Sequence, residues 1–289
     1  MTTGLQTSRA YELRRKVVNF AMISALVAAT CVALVPLFSV FLYVLKSGAP
    51  ALTPEFFTSL PRPVGETGGG MAHAILGTGT LVAIASLIGI PVGVAAGVFL
   101  SEYGKGKVAA ILRFSIDLLT SIPSIIIGVF VYGVIVVPMK HFSGFAGGLS
   151  LAIIMVPIVA RTTEEILRLV PVHIREAGLA LGIPRWKVIL RVVLQGSLGG
   201  ITTGVMLAVA RAAGETAPLI FTAFGSQFWA RSLNQPTPSL PVQIYTYAIS
   251  PYDEWHQQAW AGALVLVVFV FVMNLVTRLA LRSSGGGRE

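Results

Sequence analysis

The stretch Ala208-Val-Ala-Arg-Ala-Ala-Gly-Glu-Thr-Ala-Pro-Leu-Ile-Phe-Thr-Ala223 is apolar except for one cation, one anion and two threonines. Arg211 and Glu215 are four residues apart, so they share one face if the segment is helical. An ionised side chain in hydrocarbon costs several kcal/mol unless it is paired or lines water, so an intramembrane charged pair marks a functional site. A transported ion is therefore the first functional hypothesis.

The composition of the whole chain is that of a membrane protein. Its 289 residues are 55% hydrophobic and only 11% charged, and the mean hydropathy is +0.81. Six uncharged runs each approach the ~20 residues that cross ~30 Å of hydrocarbon. They cover residues 17–45, 74–101, 118–139, 142–160, 192–210 and 257–277. We predict an all-α polytopic protein with six transmembrane helices, in which the fourth continues past Arg161 and the fifth past Arg211 and Glu215.

The distribution of Lys and Arg predicts the orientation of these spans. Cations concentrate in the N-terminal arm, after the second and fourth runs, and in the tail, whereas the intervening loops hold few. The positive-inside rule then places both termini in the cytoplasm. We expect an arm over residues 1–16, a six-helix domain over 17–282 and a flexible cytoplasmic tail over 283–289. The net charge of +9 reflects this asymmetry, and no aromatic-lined basic domain indicates a nucleic-acid partner.

Small residues recur at intervals of four in two of the predicted spans. The second span carries Gly89, Gly93 and Gly97. The fifth span carries Gly196, Gly200, Gly204 and Ala208. Small residues at this spacing let helix backbones approach closely, so we expect both faces to pack tightly against protein.

The segment between the fourth and fifth spans is the second informative feature. It contains Arg175-Glu-Ala-Gly-Leu-Ala-Leu-Gly-Ile-Pro-Arg-Trp-Lys-Val-Ile-Leu-Arg-Val-Val-Leu194. Gly182 suits the C-terminal cap of a short helix, and Pro184 can open the next one. We predict a short helix, a sharp turn and an amphipathic helix that leads into the fifth span. On physical grounds alone, this segment is either a passive elbow on the membrane surface or a functional loop.

The same segment resembles the EAA loop of ABC-importer permeases. Glu176 and Ala177 match the motif, Gly178 replaces its third alanine, and Gly182 follows at the expected spacing. The resemblance implies the MetI-like permease fold. It also implies that residues of about 172–194 form a coupling loop, whose short helix is seated in a groove of a separate ATPase subunit.

A narrower resemblance is to the PstA family of phosphate-importer permeases. It rests on Ala210-Arg-Ala-Ala-Gly-Glu-Thr-Ala-Pro-Leu-Ile-Phe-Thr-Ala223, Arg161-Thr-Thr-Glu-Glu-Ile-Leu-Arg-Leu-Val-Pro171, Glu55-Phe-Phe57, Gly68-Gly-Gly70 and Gln227-Phe-Trp229. The related PstC family shares Gly214-Glu-Thr216 but not the five residues that follow. The resemblance implies a multi-pass subunit of the bacterial cytoplasmic (inner) membrane that forms half of a phosphate pathway. It implies four kinds of partner: membrane lipid, a PstC-like second permease, two PstB-like ATPase subunits and an extracytoplasmic PstS-like phosphate-binding protein.

Three charged residues are candidates for the translocation pathway. Arg161 and Arg211 are predicted at comparable depths, where two guanidinium groups facing one cavity would form a bidentate fork for a tetrahedral oxyanion. Glu215 would hold Arg211 and keep the anion from binding too tightly. The alternatives are that Arg211 and Glu215 are a packing pair, and that Arg161 extends to the inner surface with Glu164 and Glu165.

The sequence offers no support for an enzyme. No Gly-x-x-x-x-Gly-Lys-Ser/Thr motif, metal-ligand spacing or Ser/His/Asp arrangement is present, so we expect no cofactor, metal or catalytic residue, and ATP hydrolysis in a partner subunit. Two other functions remain open. One is a permease of the same superfamily for another oxyanion, such as sulfate or molybdate. The other is a channel or membrane-embedded enzyme without an ATPase partner, against which the EAA-like loop argues.

Overall fold

A computed structural model describes residues 9–66 and 68–285 of the chain, and in these two ranges every regular element is a helix. The α-helices are α1 Arg9–Gly48, α2 Pro54–Thr58, α3 Ala72–Val98, α4 Lys107–Ser121, α5 Ser124–Val131, α6 Val137–Met139, α7 Gly144–Arg168, α8 Val172–Ala180, α9 Arg185–Val188, α10 Leu194–Ala213, α11 Ala217–Thr222, α12 Leu240–Ala248 and α13 Asp253–Gly285. Half of the predicted arm (1–8) and most of the predicted tail (286–289) lie outside the described residues. Helix α13 takes in residues 283–285 of that tail.

In the part of the chain that the structure describes, five continuous helices are long and apolar enough to cross a membrane. They are Tyr11–Ala51, Ala72–Tyr103, Gly144–Arg168, Arg185–Ala213 and Asp253–Val276. Two of them include π-helical turns, Phe99–Tyr103 after α3 and Ile189–Val193 before α10. A sixth span is obtained when Lys107–Ser121 and Ser124–Met139 are taken together. The all-α prediction is confirmed, and six spans result when this pair is counted as one.

The prediction of a continuous third span over residues 118–139 is wrong. Helices α4 and α5 meet at an angle of 104°. The cause lies in Pro123, which has no N–H to donate and which disfavours the helical conformation of the residue before it. Ile122 accordingly adopts ψ 130°, in the extended region.

The prediction that the fifth span continues past Glu215 is also wrong. Helix α10 ends at Ala213, and the chain turns before the short helix α11 begins at Ala217. Pro218 explains the interruption, because a continued helix would need its missing N–H and would clash with the carbonyl of Gly214.

The glycine stripe of the second span packs α3 against α7 in parallel. Gly89, Gly93 and Gly97 face Met155, Val159 and Thr163, in steps of four on both helices. A Cβ atom on Gly93 would lie 2.7 Å from Cβ of Val159, and one on Gly97 would lie 2.5 Å from Cβ of Thr163. Side chains larger than hydrogen therefore do not fit, and the predicted close packing is confirmed.

The second stripe packs α10 antiparallel to α7 over part of its length. Gly200 faces Ile166 and Gly204 faces Thr162, while Ala208 is fully buried. Gly196 has no neighbour within 4 Å of an added Cβ, so it does not take part. Helix α7 is thus the central element, with α3 on one side and α10 on another.

Reporter fusions test the orientation of these spans. Gly65 and Ser239 lie in segments next to the start of α3, where the Leu240 N–H donates to the Thr78 hydroxyl. Lys105 and Gly178 lie at the other end of the bundle, beyond the C-termini of α3 and α7. We expect fusions after Gly65 and Ser239 to report an extracytoplasmic position and fusions after Lys105 and Gly178 a cytoplasmic one. A single reporter on the opposite side would overturn the span assignment.

Candidate functional site

The pair predicted between Arg211 and Glu215 forms at the end of α10. The Arg211 Nε lies 3.3 Å from the Glu215 Oε1. The arginine side chain is 52% exposed, whereas the glutamate is only 15% exposed. Glu215 lies beyond the helix, and its N–H reaches back to the carbonyl of Ala212. The pair therefore forms at a helix end and not along a continuous helical face.

The interruption after α10 lies beside the bend of the third span. Arg211 lines a narrow cleft together with residues from both sides of that bend and from α7. These residues are Leu119, Thr120, Ile122, Ser124, Ile127, Ile154, Pro157 and Ile158. Beyond the cleft, α5 and α11 are in close contact, because a Cβ on Gly128 would lie 2.5 Å from Cα of Pro218. Interrupted helices at membrane depth occur where they are buried in protein or line a polar path, and here they converge on one guanidinium group.

Arg161 is held by two carboxylates on different helices. Its Nη1 lies 2.5 Å from the Asp117 Oδ1 of α4, and its Nε lies 3.0 Å from the Glu165 Oε1 one turn along α7. All three side chains are more than half exposed. Glu164, in contrast, turns away to Arg113 and Arg168. Sequence reasoning anticipated Glu165 but missed Asp117, which is 44 residues distant in the chain.

The two arginines lie at different levels of the bundle. Because Gly204 faces Thr162 and Gly200 faces Ile166, the antiparallel register places Arg211 opposite Met155. Six residues of α7 separate Met155 from Arg161, which corresponds to about 9 Å along the helix axis. The comparable depth expected from the sequence is therefore not observed.

The predicted loop between the fourth and fifth spans has the expected helix–turn–helix form. The N–H of Gly182 donates to the carbonyl of Leu179 at 2.9 Å, and the N–H of Ile183 donates to that of Gly178 at 3.3 Å. These two bonds form a Schellman motif, which requires the positive φ of +74° at Gly182. Gly178 is buried against Val188 of α9, where a Cβ would lie 2.8 Å from a valine methyl. Both glycines thus fix how α8 and α9 pack.

The outward side of this loop is apolar and exposed. Leu181 is 78% exposed and Trp186 56% exposed, and Glu176 and Ala177 are exposed beside them. Leu169, Val172 and Leu179, in and just before α8, are exposed as well. Exposed apolar groups gathered with charged neighbours are typical of a protein-binding surface. The sequence motif pointed to the loop, but it did not single out Leu181 and Trp186.

A protein-family comparison identifies the architecture. The family model described as the binding-protein-dependent transport system inner membrane component matches residues 89–283. The chain belongs to this family. It is a multi-pass membrane protein and a transport permease subunit.

Individual relatives agree with this assignment. The phosphate transport system permease protein PstA of Yersinia pestis is 47% identical over 233 residues, covering 80% of this chain and 79% of the relative. The protein of that name from Xylella fastidiosa (strain Temecula1) is 45% identical over 270 residues, covering 93% and 94%. The PstA resemblance drawn from the motifs is confirmed.

A solved structure supports the fold. In the inward-facing MetNI methionine ABC transporter, one chain superposes with a TM-score of 0.60 at 20% identity, covering 74% of this chain and 96% of that one. This likeness confirms the predicted permease fold.

Proposed function

We propose that this chain is the PstA-type permease subunit of an ATP-driven importer of inorganic phosphate in the bacterial cytoplasmic membrane. The observation that carries the proposal is the Arg211–Glu215 pair, placed where two interrupted spans meet, in a chain whose relatives are phosphate permeases. In this proposal the chain forms half of the pathway and has both termini in the cytoplasm. A PstC-like permease, two PstB-like ATPase subunits and a PstS-like binding protein complete the importer.

Arg211 is proposed to contact the anion directly. A guanidinium group offers paired N–H donors that match two oxygens of a phosphate. Its present partner Glu215 is held at 3.3 Å, a long contact that an arriving oxyanion can replace. After the anion leaves, Glu215 neutralises the arginine again, which keeps phosphate from being trapped.

Arg161 is proposed to act at a second level of the same path. Exposed ion pairs such as Arg161–Asp117 contribute about 0–1 kcal/mol, so they exchange readily for another anion. The spacing of about 9 Å along α7 suits successive contacts with a moving anion better than one simultaneous contact by both guanidinium groups. This arrangement replaces the common cavity expected from the sequence.

The loop containing α8 and α9 is proposed to dock on the ATPase. Glu176 supplies a charged anchor, Ala177 and Gly178 allow close approach, and Gly182 sets the turn. The exposed apolar side chains Leu181 and Trp186 would become buried in the groove. Closure of the ATPase dimer on ATP would then draw the coupling loops together and reorient the spans. The same surface argues against a channel, which has no use for it.

Reconstitution tests the whole proposal. The chain is co-purified with the second permease and the ATPase, placed in vesicles with the binding protein outside and ATP at the ATPase side, and supplied with labelled anions. We expect ATP-dependent phosphate uptake, with sulfate and molybdate excluded, and none in vesicles that lack this chain. Uptake of sulfate or molybdate instead of phosphate would favour another oxyanion permease, and uptake without ATP would favour a channel.

A further inference from the structure

A buried ion pair joins the second span to the α8 helix, away from the proposed pathway. Glu102 lies in the π-helical turn Phe99–Tyr103, and its carboxylate is only 3% exposed. It accepts from Arg175 of α8 in a two-pronged arrangement, with Nε 3.0 Å from Oε2 and Nη2 2.5 Å from Oε1. Such forked pairs fix the relative orientation of both side chains.

Arg175 also binds the end of α7. Its Nη1 donates to the carbonyl of Val170 at 2.7 Å, and its Nη2 donates to that of Leu167 at 2.8 Å. The Leu167 carbonyl belongs to the last turn of α7, and the Val170 carbonyl lies just past its end, where carbonyls accept hydrogen bonds from groups outside the helix. One side chain on α8 thus holds α3 and α7 together at their inner ends, and the glycine stripe already interlocks the same two helices.

The helix on the other side of the turn binds the same place. Arg185, the first residue of α9, donates from Nη2 to the backbone carbonyl of Glu102. Its guanidinium also lies 4.8 Å from the ring centroid of Tyr103, within the range of a cation–π contact. Both α8 and α9 therefore bind the π-helical turn Phe99–Tyr103 at the end of the second span.

We propose that the Glu102–Arg175 pair is the joint that transmits movement of the coupling loop to α3 and α7 as one body. A buried ion pair is a poor source of stability compared with apolar packing, so its geometric constraint explains its presence better. Both are positioning residues, because they bind each other and neighbouring backbone carbonyls and do not line the cleft at Arg211. The inference rests on the proposed function, because it needs an ATPase that moves the loop.

The test compares variants in the complete importer at equal amounts of assembled complex. Glu102→Gln removes the charge and keeps the shape, while Arg175→Lys keeps the charge and loses the fork. We expect the number of ATP molecules hydrolysed per phosphate transported to rise about tenfold in Glu102→Gln, as for loss of a typical coupling free energy, and less in Arg175→Lys. Amide exchange within Val172–Ala180 should accelerate while that of α7 stays unchanged.

The matched control is Arg191→Gln. Arg191 is exposed near the same inner end and forms no ion pair within residues 9–66 and 68–285, so its loss should leave both readouts unchanged. An unchanged ATP-to-phosphate ratio in Glu102→Gln would contradict the proposal that the Glu102–Arg175 pair transmits movement of the loop.

Two further outcomes are also decisive. If Glu102→Gln does not assemble, the double variant Glu102→Arg with Arg175→Glu should restore assembly and part of the coupling between ATP hydrolysis and transport. If the double variant also fails to assemble, the pair serves folding alone. If the unaltered complex hydrolyses ATP but transports no phosphate, the proposed function is wrong. The amide exchange of Val172–Ala180 in Glu102→Gln still shows whether the ion pair holds α8 in place.

Discussion

Arg211→Gln is expected to abolish phosphate uptake and to leave the importer assembled. Glutamine keeps hydrogen-bonding capacity but has no charge, so the contact with the anion loses its charge-assisted pair of bonds. The Arg211 side chain is half exposed and its contact with Glu215 is long, so the fold depends little on it. Uptake should fall about 100-fold, equivalent to roughly 3 kcal/mol, which is the order of magnitude expected for losing two hydrogen bonds to a charged group.

Two companion variants sharpen this test. Arg211→Lys should restore only part of the uptake, because an ammonium group is a point charge that cannot present a planar fork. Arg62→Gln is the matched control, since Arg62 also pairs with a glutamate, Glu55 at 2.7 Å, but lies in the loop between α2 and α3, away from the proposed pathway. We expect normal uptake from that control. Normal transport by Arg211→Gln, or a loss explained wholly by failed assembly, would show that Arg211 is not in the pathway.

Gly182→Val is expected to stop transport while the protein still reaches the membrane. A β-branched residue is strained at the φ of +74° found at this position, by about 1–3 kcal/mol. No atom lies within 4 Å of an added Cβ, so the effect comes from the backbone conformation and not from a clash. The turn between α8 and α9 would change direction and carry Glu176 away from the ATPase. Binding-protein-stimulated ATP hydrolysis and uptake should both fall.

The control and the companion variant separate backbone strain from surface chemistry. Gly196→Ala places a methyl group in equally open space but within the regular helix α10, so it should transport normally. Glu176→Lys leaves the turn intact and reverses the charge of the proposed docking surface, and we expect it to lose transport as well. If Gly182→Val and Glu176→Lys both transport normally, the loop is a passive elbow on the membrane surface.

The features that were predicted correctly have local causes. The glycine stripe at residues 89, 93 and 97 appears directly as a repeat of four, and a small-residue repeat has few uses in a span other than close packing. The turn at Gly182 follows from a glycine placed two residues before a proline at the end of a helical pattern. Both could be found because neighbouring residues alone determine them.

The two interruptions were missed because the prediction relied on average hydropathy. Residues 118–139 stay apolar through Pro123, so their hydropathy does not register the break, although the proline itself was a usable signal. Pro218 could have marked the end of α10 in the same way. The Arg161–Asp117 and Glu102–Arg175 pairs are different, since they join residues 44 and 73 positions apart and depend on tertiary packing. No local pattern encodes them.

The neighbouring interruptions between α4 and α5 and between α10 and α11 also lower the free energy that this helical bundle needs to change shape. Bending an intact transmembrane helix breaks backbone hydrogen bonds in a medium that offers no replacement. At Pro123 and at Gly214 the regular helical hydrogen bonding is already interrupted, so a rotation at these points breaks fewer backbone hydrogen bonds than bending an intact helix would. Helices α5 and α11 are in close contact through Gly128 and Pro218, so the two interruptions lie side by side. Arg211, near the end of α10, lines the cleft beside this contact, so its charge lies where bending the helices breaks fewer hydrogen bonds.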